Sequence, residues 1–275
     1  MQYFRVLPTF IQSHLDTSQM IKNVLMKLSQ HGAVTITQCL PSMESTREMV
    51  DLVFSSPMKT LWSPIGVSDS TKDMWKIEAV QSNARDDAYT YKSLCPHNDG
   101  LYMQGNVPGL QVFHSLHIDP ILGCGITRLT DSRDVLKRLS PKTRDELSNL
   151  ILHYKHEQVD GSRVEAFYPV ISQKNIVDET GTSVKGVDLL LYNQYDLINH
   201  EKLSLSQKLA LKTLESLIDT CSWNLLLNEG TTLIINNQRI MHGRTALSSK
   251  SKRMLIGCYV EQDAWRARLR TLSKN

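Results

Sequence analysis

His97-Asn98-Asp99, a third of the way along the chain, and His242-Gly243-Arg244 near its end decide the fold when they are read together. The i, i+2 spacing of His97 and Asp99 suits a strand or strand end, where alternate side chains share a face and can grip one ion. A zinc-protease helix would instead place its ligands at i, i+4. His242 follows Asp99 by 143 positions, so it joins the pair only if two strands meet in a folded sheet. Two imidazoles and one carboxylate form a facial donor set, which holds Fe(II) and leaves positions open for a chelating co-substrate and O2. A lone His-x-Asp is weak, because nine histidines and 28 acidic residues can produce one by chance. The surrounding pattern therefore carries the argument.

Upstream, residues 18–31 place Met20, Ile21, Val24, Leu25 and Leu28 at helical spacing and end near Gly32. Ala33-Val34-Thr35-Ile36-Thr37 is a β-branched run that predicts a strand, and residues 43–55 predict a second helix, opened by Ser45 or Thr46 and closing before Pro57. From about residue 75 the pattern is mostly strand: Trp75 to Val80, Leu110 to Leu116, Val187 to Tyr192, Thr231 to Asn236 and Met254 to Val260. Two helical insertions interrupt it. One runs Ser132 to Leu139 and then Pro141 to Leu152; the other runs Ser204 to Cys221, with Leu209, Leu211, Leu214 and Leu217 as its buried stripe. Many strands without β-α-β alternation argue against a Rossmann sheet and for a mainly β fold with flanking helices, a double-stranded β-helix or jelly roll.

Composition narrows the function classes. A chain of 275 residues, 41% hydrophobic and 21% charged, with no linker-like tract, predicts one soluble domain. No apolar run approaches the length of a membrane span. A net charge of +3, with only Lys250, Lys252 and Arg253 clustered, gives nucleic-acid binding little support. Cys39, Cys95, Cys124, Cys221 and Cys258 are odd in number and widely spaced, as expected of free thiols in a reducing compartment. With neither a secretory nor a transit pattern at the start, the cytoplasm is the expected location.

If 2-oxoglutarate is the chelating co-substrate, its distal carboxylate needs a fixed cation, and arginine offers a matching bidentate fork. Arg253, eleven positions after His242, is the candidate; Thr127, just after Gly123-Cys124-Gly125, could add a hydroxyl. The sequence also resembles the γ-butyrobetaine and trimethyllysine hydroxylase branch of the taurine-dioxygenase-like superfamily. The resemblance lies in Asp87-Ala88-Tyr89-Thr90, His97-Asn98-Asp99 and Pro108 to His114, then in Asn236 to Arg244, Gly257-Cys258-Tyr259 and Arg268-Leu269-Arg270. It covers roughly residues 60–272. It implies a jelly-roll core, iron on His97, Asp99 and His242, and 2-oxoglutarate on Arg253 and Thr127. Arg244 is left with two roles, holding the 2-oxoglutarate end or buttressing the strand that carries His242. Asn98 stands where the family usually has Thr, and Asn236 where it usually has Asp. Gly100-Leu101-Tyr102 also differs from the common forms, yet no metal ligand is lost. The chain begins about where the family's catalytic domain begins, without the small amino-terminal zinc domain of carnitine-pathway members, so residues 1–275 are expected to form a single oxygenase domain.

A trimethylammonium group has no N–H to donate and is recognised by aromatic faces. The resemblance places Trp75, Tyr89 and Tyr259 at the positions of such a cage. It sets Asp86 where butyrobetaine hydroxylases carry a neutral amide, and an anionic Asp there would repel a substrate carboxylate and attract a free α-amino group. Asn193, in Tyr192-Asn193-Gln194-Tyr195-Asp196, matches a segment near the substrate's polar end. The expected reaction is Fe(II)- and 2-oxoglutarate-dependent hydroxylation of an aliphatic C–H by O2 in a small cationic substrate, trimethyllysine-like or another quaternary amine. One rival is a biosynthetic oxygenase that hydroxylates, desaturates or cyclises another amino acid or small amine. The other is a silent jelly roll used as a binding module, which would be free to lose a ligand or Arg253. The resemblance leaves a homodimer open; no nucleic-acid or membrane partner is expected.

Overall fold

The computed structural model describes residues 7–14, 17–55, 73–79, 87–157, 161–177 and 182–274. In chain order its elements are β1 (Thr9–Ile11), α1 (Ser18–His31), β2 (Ala33–Thr37), α2 (Met43–Phe54), β3 (Met74–Glu78), β4 (Leu94–His97), β5 (Leu110–His117) and β6 (Thr127–Asp131). Next come α3 (Ser132–Arg138), α4 (Pro141–Ser148), β7 (Ile151–Glu157), β8 (Arg163–Pro169), β9 (Ile171–Val177), β10 (Ser183–Leu190) and β11 (Leu197–Ile198). The chain closes with α5 (Leu205–Thr220), β12 (Trp223–Leu225), β13 (Thr232–Asn236), β14 (Ile240–Arg244), β15 (Met254–Val260) and α6 (Gln262–Lys274).

Two sheets carry the architecture. The larger has the order β1-β2-β13-β5-β15-β3 and the smaller the order β12-β6-β14-β4. Consecutive strands along the chain repeatedly change sheet, from β4 to β5 to β6 and from β12 through β13 and β14 to β15. Strand alternation then sorts the side chains. Ala33, Phe113, Leu233, Ile235 and Leu255 of the larger sheet pack with Leu129, Trp223 and Ile240 of the smaller. The opposite face of the larger sheet, including Val34, Ile36, Val112, Ile234, Ile256 and Cys258, packs with residues of α1, α2 and α6. Residues of α3, α4 and α5 form a further core with Met241 of β14 and the strands β7, β9 and β10. Two small sheets, β11-β7-β8 and β10-β9, complete the described structure.

The helix ends follow local chemistry. Thr17 accepts the Met20 amide at 3.2 Å to open α1, and Gly32, at φ 78°, closes it by donating to Leu28 O. The α2 cap is Ser42, whose hydroxyl accepts the Ser45 amide, so the start lies upstream of the expected Ser45 or Thr46. The helix expected over Pro141–Leu152 ends at Ser148 and gives way to β7, in which Leu152 and Tyr154 alternate inward. The α5 stripe is Ala210, Leu211, Leu214 and Ile218, while Leu209 is 56% exposed, because the apolar arc is rotated away from it. The strand expected over Val187–Tyr192 instead spans Ser183–Leu190. Val80, the expected end of the Trp75 strand, lies outside the described residues. Among the described residues no helix is long and apolar enough to cross a membrane.

Trp265 anchors α6 in the core: it is 1% exposed and its indole N–H donates to Gln262 Oε1 at 3.0 Å. Trp265→Ala is expected to cost about 3–5 kcal/mol of stability, measured by chemical denaturation. A loss under about 1 kcal/mol would mean that the site collapses without leaving a cavity.

Candidate active site

His97 ends β4 and His242 sits in β14, and antiparallel pairing sets them directly opposite each other. Their ring centroids are 4.8 Å apart. This approach depends on Gly243, since a Cβ there would lie 2.3 Å from Leu94 O and 2.8 Å from the Cys95 carbonyl carbon. Asp99 follows β4 and turns its carboxylate between the rings, with Oδ1 3.4 Å from His97 Nε2 and Oδ2 3.7 Å from His242 Nε2. The three donor atoms all lie within 4.8 Å of one another. The ring tautomer of His97 is guided by its Nδ1, 2.8 Å from Cys95 O, which leaves Nε2 toward the site.

Buried amides hold Asp99. Its N–H donates to Asn237 Oδ1 at 2.9 Å and its carbonyl accepts Asn237 Nδ2 at 3.0 Å. Asn98 in turn donates its side-chain amide to Asn237 O and accepts the Tyr192 N–H at 3.0 Å. Tyr259 donates its hydroxyl to Asp99 Oδ2 at 3.0 Å. Burial alone would raise the Asp99 carboxyl, but His242, His97 and the Tyr259 hydroxyl together hold it far below the usual carboxylate range. Burial pushes the His242 imidazole down to about 4, which keeps it neutral and able to bind a metal.

The triad opens onto a cavity of about 150 Å³ between the two sheets. Arg253 and Thr127 both line it, at 9% and 4% exposure. Among the described residues the Arg253 guanidinium makes no hydrogen bond or ion pair. Burial, with the nearby charge of Arg244, lowers its pKa to about 9. The bare backbone of Gly125 makes room for it, because a Cβ would fall 2.9 Å from Arg253 Cδ. Arg244 is placed differently. Its guanidinium donates to the carbonyls of Thr90 at 2.6 Å and Lys92, and at 3.4 Å to those of Asp87, Ala88 and Thr245, tying residues 87–92 to β14.

The expected substrate residues are brought together in part. Trp75 and Tyr259 meet at 4.8 Å and 59°, with Trp75 lying over Gly257, where a Cβ would come 2.9 Å from the indole. Tyr89, in the helical turn Asp87–Tyr89, lines the same cavity. Asn193 lines it too, but its amide is occupied: Nδ2 donates to Asp196 Oδ2 at 2.8 Å and Oδ1 accepts the Tyr195 N–H at 2.9 Å. Asp86 lies outside the described residues. Several lining groups escaped the sequence reading. Tyr195 sets its edge against His97 at 5.1 Å, Tyr102 stacks on His156 at 4.5 Å, and Asp196 joins them in the wall. Gln111 is fully buried, and among the described residues neither end of its amide has a hydrogen-bond partner. Its inward orientation was readable from alternation with Phe113 along β5; the others sit in loops or in strands whose register the sequence does not give.

The donor set fits Fe(II), and a buried, unpaired arginine in the same cavity fits a dicarboxylate co-substrate. Comparison with known proteins agrees. The profile of the family described as "Taurine catabolism dioxygenase TauD, TfdA family" matches residues 10–259. Trimethyllysine dioxygenase, mitochondrial, of Gallus gallus is 27% identical over 267 residues, covering 92% of this chain and 58% of that protein. The Homo sapiens protein of that name is also 27% identical over 267 residues, covering 92% and 57%. This chain thus spans somewhat under three fifths of the relatives it matches. Among solved structures, an asparagine oxygenase in complex with Fe(II), 3-hydroxyasparagine and succinate superposes with a TM-score of 0.67 at 17% identity, covering 89% of this chain and 80% of that one. The non-heme iron oxygenase OrfP, in complex with Fe and alpha-ketoglutaric acid, gives 0.62 at 14%, covering 91% and 81%. These likenesses show a shared fold.

Gly243→Ala is expected to force β4 from β14 and so separate His97 from His242. Fe(II) affinity, titrated anaerobically, should fall roughly 10- to 100-fold, while an unchanged affinity would show that the strand contact does not set the ligand geometry.

Proposed function

The chain belongs to the TauD, TfdA dioxygenase family, and from that premise we propose that it is an Fe(II)- and 2-oxoglutarate-dependent oxygenase that hydroxylates an aliphatic C–H of a small cationic substrate. A trimethyllysine-like quaternary amine is the substrate proposed. The observation that carries the reading is Arg253, a buried guanidinium that among the described residues makes no hydrogen bond or ion pair, lining the cavity onto which His97, Asp99 and His242 open. A buried cation without a counter-ion is costly, and a dicarboxylate that chelates the metal at its other end would relieve that cost. The two facing sheets, with the chain crossing between them and the site in their mouth, are read as a jelly roll forming one catalytic domain.

His97, Asp99 and His242 would hold the iron, which would supply the oxidising chemistry that converts 2-oxoglutarate, O2 and a substrate C–H to succinate, CO2 and the C–OH product. The chain's own residues position and exclude. Arg253, with the Thr127 hydroxyl, fixes the distal carboxylate of 2-oxoglutarate and so sets how its other end meets the metal. Arg244 is read as the buttress of the pair of roles open to it, since its donors already serve backbone carbonyls. Trp75, Tyr89 and Tyr259 offer aromatic faces to a methylated ammonium. Tyr259 has a second duty, because its hydroxyl steadies Asp99 while its ring forms the wall.

Arg253→Gln should weaken 2-oxoglutarate binding by at least about tenfold, the loss of a charge-assisted pair, with Fe(II) binding retained. Calorimetric titration of the Fe(II)-loaded protein without O2 reads both. His97→Ala and Asp99→Ala should each abolish 2-oxoglutarate turnover, assayed as succinate; iron-dependent turnover surviving in both ends the oxygenase reading.

A further inference from the structure

Asp196 lines the same cavity as the triad, yet among the described residues its environment differs from that of the other acids there, Asp87 and Asp99. Its Oδ2 accepts Asn193 Nδ2 at 2.8 Å, and its main-chain carbonyl accepts the Lys155 N–H at 2.8 Å. Among the described residues the ionisable nitrogen paired with Oδ1 is His156 Nδ1, at 3.9 Å, too long for a hydrogen bond. Among the described residues no lysine or arginine pairs with this carboxylate, although its side chain is only 18% exposed. By contrast Asp99 belongs to the triad, and Asp87 is paired with Lys92 at 3.3 Å. Asp119, the acid felt by Arg253, accepts the Ile121 and Ser248 amides and the Ser248 hydroxyl. The charge of Asp196 is felt instead at His97 and Tyr154, and not at Arg253.

We infer that Asp196 recognises a free ammonium group on the substrate, and that Asn193 positions this carboxylate instead of touching the substrate itself. The inference rests on the oxygenase reading above and adds a substrate class to it. A largely buried carboxylate with open lone pairs is stabilised most by a cation that donates N–H bonds. A quaternary ammonium has no N–H, and suits the aromatic wall of Trp75 and Tyr259. The two walls therefore select a molecule that carries a primary ammonium, as a free amino acid does, whether or not a second, methylated cation is present. Tyr195, edge-on to His97, and Asn193 hold the segment bearing Asp196 beside the metal ligands. An ammonium seated there lies within reach of the site while its carbon chain extends past the triad.

The test uses the whole protein loaded with Fe(II) and 2-oxoglutarate without O2, titrated with trimethyl-L-lysine and L-arginine, neither of which has a second primary ammonium, and with the Nα-acetyl derivative of each. Wild type is expected to bind at least one free amino acid and to bind its acetylated partner about 10- to 100-fold more weakly, the value of a hydrogen bond to a charged group. Asp196→Asn should weaken the free amine by a similar factor and leave the acetylated partner unchanged, and Asn193→Ala should shift the same probe in the same direction. Fe(II) and 2-oxoglutarate titrations on each variant report the integrity of the rest of the site. Binding of no free amine by wild type, equal binding of free and acetylated probes, or an Asp196→Asn variant with wild-type affinity overturns the inference while leaving the oxygenase reading standing. Failure of wild type to bind Fe(II) and 2-oxoglutarate would overturn both.

Discussion

Asn98 and Asn237 are both fully buried; Asn98 donates to the Asn237 carbonyl, and the Asn237 side chain bonds the Asp99 backbone, fixing Asp99 against the turn between β13 and β14. Each buried amide presents two donors and an acceptor, and leaving one unmet costs about 1–3 kcal/mol. Here the partners are backbone groups of Tyr192, Asp99, Pro108 and residue 237 itself, so segments distant in sequence are held at one point. The position of the Asp99 carboxylate follows from that lattice. The ring of Tyr259, whose hydroxyl bonds Asp99, is fixed in turn, and Trp75 is packed against that ring. The His97, Asp99 and His242 triad and the aromatic wall therefore share a common reference frame.

Much of the frame was readable in the sequence because periodicity reports burial directly. α1 and β2 fall where spacing and Gly32 place them, and β15 spans the Met254–Val260 run. The errors have a common origin in apolar residues that satisfy two patterns at once. Leu150 and Leu152 extend the spacing of α4, yet they are buried around the start of β7 once the chain turns at Asn149. Leu209 fits a leucine stripe, but tertiary packing chose the arc through Ala210 and Ile218. The strands β7, β8 and β9 are hard to read because exposed positions carry Ile151 and Phe167 as well as Glu165, Gln173 and Lys174, which dilutes the alternation.

The site divides along the same line. Residue types and spacing singled out His97, Asp99, His242 and Arg253, because chemistry restricts which side chains can serve. Partner choice is another matter. Arg244 and Arg253 are both buried arginines within ten residues, and only coordinates reveal that one is saturated by carbonyls while the other is not. Asn193 and Asp196 stand three residues apart in a loop, and their internal hydrogen bond reverses which of them faces outward with free capacity. Gln111 could be placed on the inner face by counting, although its lack of a partner could not.

Among the described residues β4 lies at the edge of the smaller sheet and pairs there with β14 alone. On a growing chain that partner emerges some 140 residues later, which at ribosomal speeds of about 5–20 residues per second is roughly 7–28 s. Through that interval the segment carrying His97 is an unpaired strand, the kind of edge that recruits other chains. Pro96 sits in the middle of it. A proline offers no N–H to a passing strand, so the residue beside His97 also protects a nascent edge while it waits for its mate.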